Sequence, residues 1–527
     1  MGAWSDDHGA PSDGRRVSEF PERSPAGATP ARGHHRAARG FGAALGWTVV
    51  GAVVPGTGFL AAGRRVVGAL TLVVFLLLVG GGAWLATGGR RAVVRTAVDT
   101  GALLWVVAAI GLVALLWIAV VVAGYRMLLP PRVGRGKHVL GAVVVLLLVA
   151  VIAAPAVLVG RLAATQRDLI ADVFHDNGKS ATVKAGANSF GSQDRVNVLL
   201  LGGDGGAGRE GVRTDTVIVA SIDTKSGDTT LFSLPRNLEN LPFPPGSPLA
   251  QAYPDGFTAA KESEGLLNAV YRNGPVEHPG ILGATDNPGA DFLKLGVGEA
   301  LGLKIDYFVL VNLDGFSALV DALGGITVNV NYFVPVGGEP SKAILPDAYI
   351  APGPSQHMDG ATALAFTRGR FGLTDYDRMA RQRCTIKAII DAAHPVKLLQ
   401  QYQQLAATTK DIVSTDIPRS VLDDFVDLGF KVKDADVRSV VFDATLIDPA
   451  YPDYDQMRQV VQDTLTPPAA TATSSAPASS ASAAPSADPA APGTAQDPVA
   501  DVGDACAYDP AKAQEALAAG EPPTKNG

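Results

Sequence analysis

Cysteine is nearly absent: Cys384 and Cys506 are the only two among 527 residues. Two thiols fit an oxidising exterior. They are open to two readings: unrelated thiols, or a disulfide that closes a very long loop and ties the tail to the globular part. Charge is also sparse, at 18% of residues, and three stretches have none at all: 66–86, 101–125 and 139–160. Each is long enough to cross a bilayer, which takes about 20 apolar residues, and uncharged runs of this length do not fit core helices of a soluble protein. The formal net charge of −7 says little about partners when a membrane divides the chain. A glycine-rich stretch, VNVLLLGGDGGAG at 196–208, contains a literal G-x-G-x-x-G but lacks what that match requires. No helix pattern follows it, because VRTDTVIVASID is strand-like, and a dinucleotide fold needs the loop to open a helix. No G-K-[ST] closes this glycine stretch, which excludes a P-loop there. A helix-turn-helix pattern beside a basic surface is missing too, so nothing points to nucleic acid.

What is present falls into successive parts. Residues 1–40 read as a disordered polar tail. Residues 41–160 form a membrane region with the three spans above. Within it, 41–63 is apolar but broken by Pro55-Gly56-Thr57-Gly58, and is expected to be a re-entrant or interfacial hairpin. The polar leader is too long, and too many spans follow, for a cleavable signal peptide. Arginines before the apolar block and Arg126, Arg132, Arg135 and Lys137 between the second and third spans put both regions in the cytoplasm. Three spans then leave everything after 160 outside. Arg90, Arg91 and Arg95 fall in the outer loop and count against this assignment, and a full span at 41–63 would break the parity.

Residues 161–194 read as stalk and connector. From 195 to 465, β-branched and aromatic runs at 196–202, 216–222, 229–234, 307–312 and 326–330 predict strands. Helical patterns fit 261–272, 290–302, 315–323, 376–392 and 396–407. This mixture predicts one α/β (α+β) domain with a mixed central sheet flanked by helices, preceded by the helical anchor. Residues 466–498 are a Pro/Ala/Ser linker that cannot bury a core, and 499–527 is a short tail expected to dock through Cys506.

Chemistry concentrates at strand and helix ends. Asp204 ends the first strand; Arg213 and Asp215 open the next, where alternation puts both on one face. Two carboxylates at adjacent strand ends suit Mg²⁺ (or Mn²⁺), which accepts a few carboxylates plus phosphate oxygens. A solvated turn with an ordinary ion pair is the other reading. In LFSLPRN, Arg236 follows a strand and Pro235, and LAFTRGRFGLTDYDRMARQR holds Arg368, Arg370, Arg378, Arg381 and Arg383. Arg368 and Arg370 are expected at a strand end, sharing a face; Arg378 and Gln382 are helix neighbours four apart. The planar guanidinium fork fits phosphate oxygens, so an all-arginine cluster beside acidic metal ligands points to a pyrophosphate clamp. The alternative is an exposed basic helix face.

These residues carry a resemblance. NVLLLGGD, RTDTVIVASID, LFSLPRN, LLNAVYRNG, IDYFVLVNLDGFSALVDALGGITVNV and MDGATALAFTRGRFGLTDYDRMARQR resemble, in order and spacing over about 195–395, the LytR–CpsA–Psr family of cell-wall glycopolymer ligases. The resemblance implies transfer of a glycan from a polyprenyl-pyrophosphate carrier to peptidoglycan. A muramic acid 6-hydroxyl would attack the sugar-bearing phosphorus, giving a phosphodiester and polyprenyl phosphate. By motif, Asp204 and Asp215 resemble the Mg²⁺-associated carboxylates. Arg213, Arg236, Arg368, Arg370, Arg378 and Gln382 resemble the pyrophosphate-binding set, with Arg236, Asp215 and Arg368 expected closest to catalysis. An apolar pocket for the lipid tail is implied, lined by the apolar strands and the 290–323 helices. The family usually has Asp after the Arg of its Pro-Arg-Asp motif, whereas this chain has Asn237, which can orient Arg236 but cannot act as a base. Asp375 matches a family acidic position expected to orient the helix; nothing is carried onto Asp377.

The expected partners are the polyprenyl-pyrophosphate-linked glycan, peptidoglycan and membrane lipid, with no nucleic acid. The expected location is the bacterial cell membrane, multi-pass, with the catalytic domain outside the cytoplasm. Hydrolysis of the same lipid, with water replacing the sugar hydroxyl, uses the same residues. A non-catalytic carrier-binding role is the third reading. The glycopolymer and any general base stay open.

Overall fold

The computed structural model describes residues 38–174, 178–183, 190, 193–204, 212–393, 413–466 and 499–525. The helix expected at 396–407 lies outside the described residues. The chain forms two compact units: one from residues up to Phe75 with Ala119–Leu148, the other from Leu76–Ile118 with Val149 onward.

At the N-terminal end, α1 (Phe41–Val53) and α2 (Thr57–Ala61) are separated by a turn at Pro55-Gly56, where Gly56 has φ 102°. A Cβ there would lie 2.4 Å from the Gly68 carbonyl, so only glycine fits this bend. At 13 and 5 residues, neither helix reaches bilayer thickness. Among the described residues, three helices are long and apolar enough to cross a membrane: α3 (Arg65–Thr87), then, after the short α4 (Arg90–Val98), α5 (Thr100–Leu128) and α6 (Arg135–Val173).

The second unit holds a seven-stranded mixed sheet. In chain order its elements are β1 (Arg195–Gly203), β2 (Thr214–Asp223), β3 (Thr229–Leu234), α7 (Pro248–Ala252), α8 (Leu267–Glu277), α9 (Pro288–Leu301), β4 (Tyr307–Asn312) and α10 (Leu313–Ala322). These are followed by β5 (Ile326–Val330), β6 (Val334–Val336), β7 (Ala348–Ile350), β8 (Gly353–Met358), α11 (Gly360–Arg368) and α12 (Asp375–Ala392). The chain then runs through β9 (Val413–Thr415), α13 (Leu422–Lys433), β10 (Val437–Val441), α14 (Tyr454–Leu465), β11 (Val499–Asp501), α15 (Val502–Ala505) and α16 (Pro510–Ala519).

The sheet order is β11-β10-β3-β2-β1-β4-β9, with β1/β4 and β3/β10 parallel and the other pairs antiparallel. Pairs β5/β8 and β6/β7 stand apart as two-stranded ribbons. After Asp204 the chain returns as the antiparallel neighbour β2, not through a crossover to a parallel strand. The glycine loop therefore opens no dinucleotide-binding unit.

Alternation along the central strands buries both faces. Leu199, Leu201, Val217, Val219, Phe232 and Leu234 join Val270, Phe292, Val297 and Met457 in the largest core, beneath α8, α9 and α14. On the opposite face, Val196 and Val198 pack with Leu422 and Leu428 of α13, and Ile218 with Leu231 and Val437. The pattern expected at 261–272 is split. A 3₁₀ turn covers Glu262–Glu264, Gly265 ends it, and extended Leu266 caps α8. The basic stretch at 90–95, expected as a loop, forms α4 and has a protein partner: Arg95 pairs with Asp427 on α13, and Arg91 lies 5.3 Å from the centre of the Phe430 ring.

Cys384 on α12 and Cys506 form a disulfide 122 residues apart. With it β11 extends the sheet edge, Asn329 donates to the Cys506 carbonyl, and Lys525 pairs with Asp347. The tail thus docks as the cysteines allowed.

Candidate active site

A cavity of about 1310 Å³ opens along β1, β2, β4, α10, α11 and α12. Its chemistry changes systematically along each wall. On β1 the lining runs from Leu200 to Asp204, and on β2 from Ile218 through Thr216 to Asp215. On α12 it runs from Asp375, Arg378 and Gln382 at the N-terminal end to Ile386, Ile389 and Ile390 at the other. At 1.5 Å per residue, the α12 gradient spans roughly 22 Å. The polar ends of β1, β2 and α12 converge. The positive end of the α12 dipole therefore adds to the guanidiniums there. Thr374 and Asp377 cap that end reciprocally, which explains Asp377 without any site role.

Asp215 reaches the cavity through a β-bulge. Gly202 pairs with Thr216 and Gly203 with Thr214, leaving Asp215 as the extra residue. Bulges re-aim side chains in this way, and here adjacent Asp215 and Thr216 both line the cavity. Arg236 Nη1 donates to Asp215 Oδ1 at 2.9 Å and Asn268 Nδ2 donates at 3.2 Å, while Arg378 Nη1 holds the Asp215 carbonyl at 2.9 Å. Burial works to raise the Asp215 carboxyl. The Arg236 bond and charge, with Asn268 and Arg378, outweigh it and hold the group below the usual aspartate value.

Asp375 is the hub of the arginine cluster. Arg378 donates to it twice, at 3.1 and 2.9 Å, Arg236 Nε stands at 3.3 Å and Arg370 Nη1 at 3.7 Å. Burial, then the charges of Arg236 and Arg378, lower the Arg370 pKa, as expected where like charges crowd. Arg368 is exposed and, among the described residues, has no ion-pair partner.

Seven expected residues line this one cavity: Asp204, Asp215, Arg236, Arg368, Arg370, Arg378 and Gln382, with Asn237 at its edge. Two expectations need correction. Arg368 and Arg370 do not end a strand. Arg368 is the last residue of helix α11, which starts at the Asp359 cap; Ala363 and Phe366 face the core, while Leu364 and Ala365 line the cavity. Both arginines still line the cavity, because Gly369 between them turns the chain against the Pro335 carbonyl, where a Cβ would stand at 2.3 Å. Arg213 shares the face of Asp215, since both reach the 262–273 segment, but it does not line the cavity. Its guanidinium donates to Glu264 Oε1 at 2.6 Å, and its backbone N–H to Asp204 Oδ1 at 2.8 Å. Glu264 also holds Arg272 and accepts from Asn273. That Asn273 bond and the two arginine charges keep its carboxyl low.

Other arginines of the run turn away. Arg381 donates to the carbonyls of Phe366 and Gly369 and to the Tyr332 hydroxyl, bracing the turn between Arg368 and Arg370, and Arg383 reaches Ser439. The apolar wall agrees with expectation in its strands, β1, β2 and β4, and in α10, but α9 lies in the core and α11 and α12 contribute in its place. Sequence reasoning missed Glu264 and Asn268, whose positions in the motifs say nothing about the partners they meet.

The LytR_cpsA_psr family profile matches residues 165–461, and the chain belongs to this family. Among curated proteins it is 28% identical over 234 residues to the polyisoprenyl-teichoic acid–peptidoglycan teichoic acid transferase TagU of Enterococcus faecalis, covering 44% of this chain and 64% of that one. It is 30% identical over 215 residues to the probable cell wall biosynthesis protein LcpB of Corynebacterium glutamicum, covering 40% and 41%. The crystal structure of B. subtilis TagV aligns over 52% of this chain and 99% of that one, at 24% identity and a TM-score of 0.35. The matches thus span less than two thirds of the length of these two curated relatives.

Proposed function

We propose that the chain is a membrane-anchored phosphotransferase that moves a glycopolymer from a polyprenyl-pyrophosphate carrier onto peptidoglycan. One observation carries this reading: a single cavity gathers arginines at one end and mainly apolar side chains toward the other. Its natural ligand joins a pyrophosphate to an apolar tail. Arg236, Arg368, Arg370, Arg378 and Gln382 would hold the pyrophosphate, and the walls of Leu200, Val309, Phe316, Ile386 and Ile390 the polyprenyl chain. The names of the curated relatives agree with this substrate class.

In the proposed step, a muramic acid 6-hydroxyl oxygen forms a bond to the sugar-bearing phosphorus. The bond from that phosphorus to the bridging oxygen breaks, and polyprenyl phosphate leaves. The hydroxyl proton passes to a cavity carboxylate, a role Asn237 cannot fill. Such transfer needs positioning and charge neutralisation more than covalent catalysis, and guanidiniums supply both. Arg213 acts from outside the cavity by fixing Asp204.

Mg²⁺ or Mn²⁺ fits Asp204 and Asp215. Among the described residues no group of three His, Cys, Asp or Glu forms an all-protein cage. Mg²⁺ is commonly held by one or two carboxylates completed by phosphate oxygens and water, and Asp215 stays ionised. When bound, the ion would neutralise charge developing on the phosphate oxygens.

The three long apolar helices are read as spans, with 41–63 as a re-entrant or interfacial hairpin and the sheet domain outside. The disulfide and the Arg95–Asp427 pair support an exterior sheet domain. The test uses the purified full chain with Mg²⁺, a short polyprenyl-pyrophosphate sugar and a peptidoglycan acceptor, with products read by mass. A phosphodiester-linked glycan together with polyprenyl phosphate is expected. Sugar phosphate without ligation would replace this reading with a hydrolase, and lipid binding without turnover would replace it with a carrier-binding protein.

A further inference from the structure

A second cavity lies beside the first. It is a groove of about 430 Å³ whose lining includes Asn240, Phe243, Tyr253, Asp255, Tyr451 and Tyr454. We propose that this groove is a saccharide-binding subsite that seats the acceptor glycan. The inference rests on the transfer reading above and adds where the acceptor lies.

Position is the first argument. The loop after β3 borders both cavities: Arg236 and Asn237 line the transfer cavity, and Asn240 lines the groove. Asn240 follows Asn237 by three positions, so the two are at most about 11 Å apart. A disaccharide bridges that distance, putting one ring in the groove and a hydroxyl of the next near Arg236.

The lining chemistry is the second. Tyr451 is 84% exposed, a large aromatic left open at the groove edge. The Tyr253 hydroxyl donates to Glu277 at 2.9 Å and the Tyr454 hydroxyl to the Glu239 carbonyl at 2.6 Å, so both phenols are already committed. Tyr253 is buried against Phe243 and Phe257 and forms the groove floor; the ring surface open to a ligand is that of Tyr451 and half-buried Tyr454, which suits the C–H faces of a sugar. Asn240 and Asp255, both exposed, supply an amide and a carboxylate for sugar hydroxyl and acetamido groups. Among the described residues the groove lining contains no Lys or Arg, so its chemistry favours a neutral ligand over a phosphate.

Rigidity is the third. Asn240 adopts φ 51°, a left-handed conformation uncommon outside glycine. It is held there by close packing: a Cβ on Gly256 would stand 2.2 Å from the Asn240 carbonyl, and Phe257 N–H donates to Leu241 at 2.8 Å. The rim is thus fixed before any ligand arrives, which lowers the ordering cost of binding.

The test titrates the full chain in detergent with a soluble tetrasaccharide of alternating N-acetylglucosamine and N-acetylmuramic acid, read by calorimetry, without lipid donor. Wild type is expected to bind, and Tyr451→Ala and Asp255→Ala to bind about tenfold more weakly with unchanged melting temperature. In turnover, Tyr451→Ala is expected to raise acceptor KM about tenfold with kcat unchanged. Wild-type affinity in Tyr451→Ala would overturn the subsite. So would Tyr451-dependent binding of a peptide of residues 467–498 with no saccharide binding, which would assign the groove to the chain's own proline-rich segment. Because the titration needs no donor, saccharide binding without any ligation would sink the transfer reading and leave the subsite standing.

Discussion

Replacing Asp375 by Asn removes the one charge shared by three guanidiniums while keeping the side chain's shape. Arg378 is 5% exposed and gives Asp375 two hydrogen bonds, and Arg236 and Arg370 approach the same carboxylate. Breaking a buried ion pair costs about 3–5 kcal/mol. Asp375 is 27% exposed and Asn keeps one acceptor oxygen, so about 2 kcal/mol is a reasonable expectation. That corresponds to a melting temperature lower by about 4–8 °C for a domain of this size. If the same misplacement reaches the transition state, kcat falls about 30-fold. Donor affinity should move differently. Three released guanidiniums gain no competitor for the pyrophosphate, so donor KM stays level or falls. The assay measures polyprenyl phosphate release against donor concentration, beside thermal unfolding. Asp375→Asn with wild-type kcat and melting temperature would refute the hub, and a rise in donor KM with unchanged kcat would refute the division between binding and positioning.

Arg236→Ala or Arg368→Ala is expected to abolish transfer with the fold intact by circular dichroism; a folded variant with wild-type activity would sink the clamp. Gly369→Ala must push the chain off the Pro335 carbonyl, displacing both flanking arginines, and is expected to reduce transfer at least about tenfold at unchanged expression. The Asp215 carboxyl is depressed, so its contribution to stability is complete above the ordinary aspartate value near pH 4 and fades only as pH falls through the lower folded value. Activity should therefore show no Asp215 limb between pH 5 and 8, and a limb there that Asp215→Asn removes would contradict this. The disulfide closes a separation of 122 residues, worth about 4–5 kcal/mol in the chain-entropy treatment. Urea unfolding of Cys384→Ser should show a loss of that order, and an unchanged midpoint would refute it.

The sequence by itself determined the elements and most of the chemistry. Strands at 229–234, 307–312 and 326–330 appear at the expected residues, because β-branched runs bounded by turn residues have few other ways to bury themselves. The uncharged runs similarly dictated long apolar helices, and motif order alone gathered seven residues that line one cavity. Three things were decided only in tertiary structure. LAFTR reads as strand, but it lies in helix α11, whose first N–H is held by Asp321 of α10 and whose Phe366 carbonyl is held by Arg381 of α12. Arg213 looks like a clamp residue until Glu264, 51 residues later, takes its guanidinium out of the cavity. The converging polar ends of β1, β2 and α12 depend on a bulge that aims Asp215 and on packing between elements 160 residues apart. Local pattern records what each segment can bury. It does not record which distant partner arrives, and pairing across the fold is what turned scattered charges into one site.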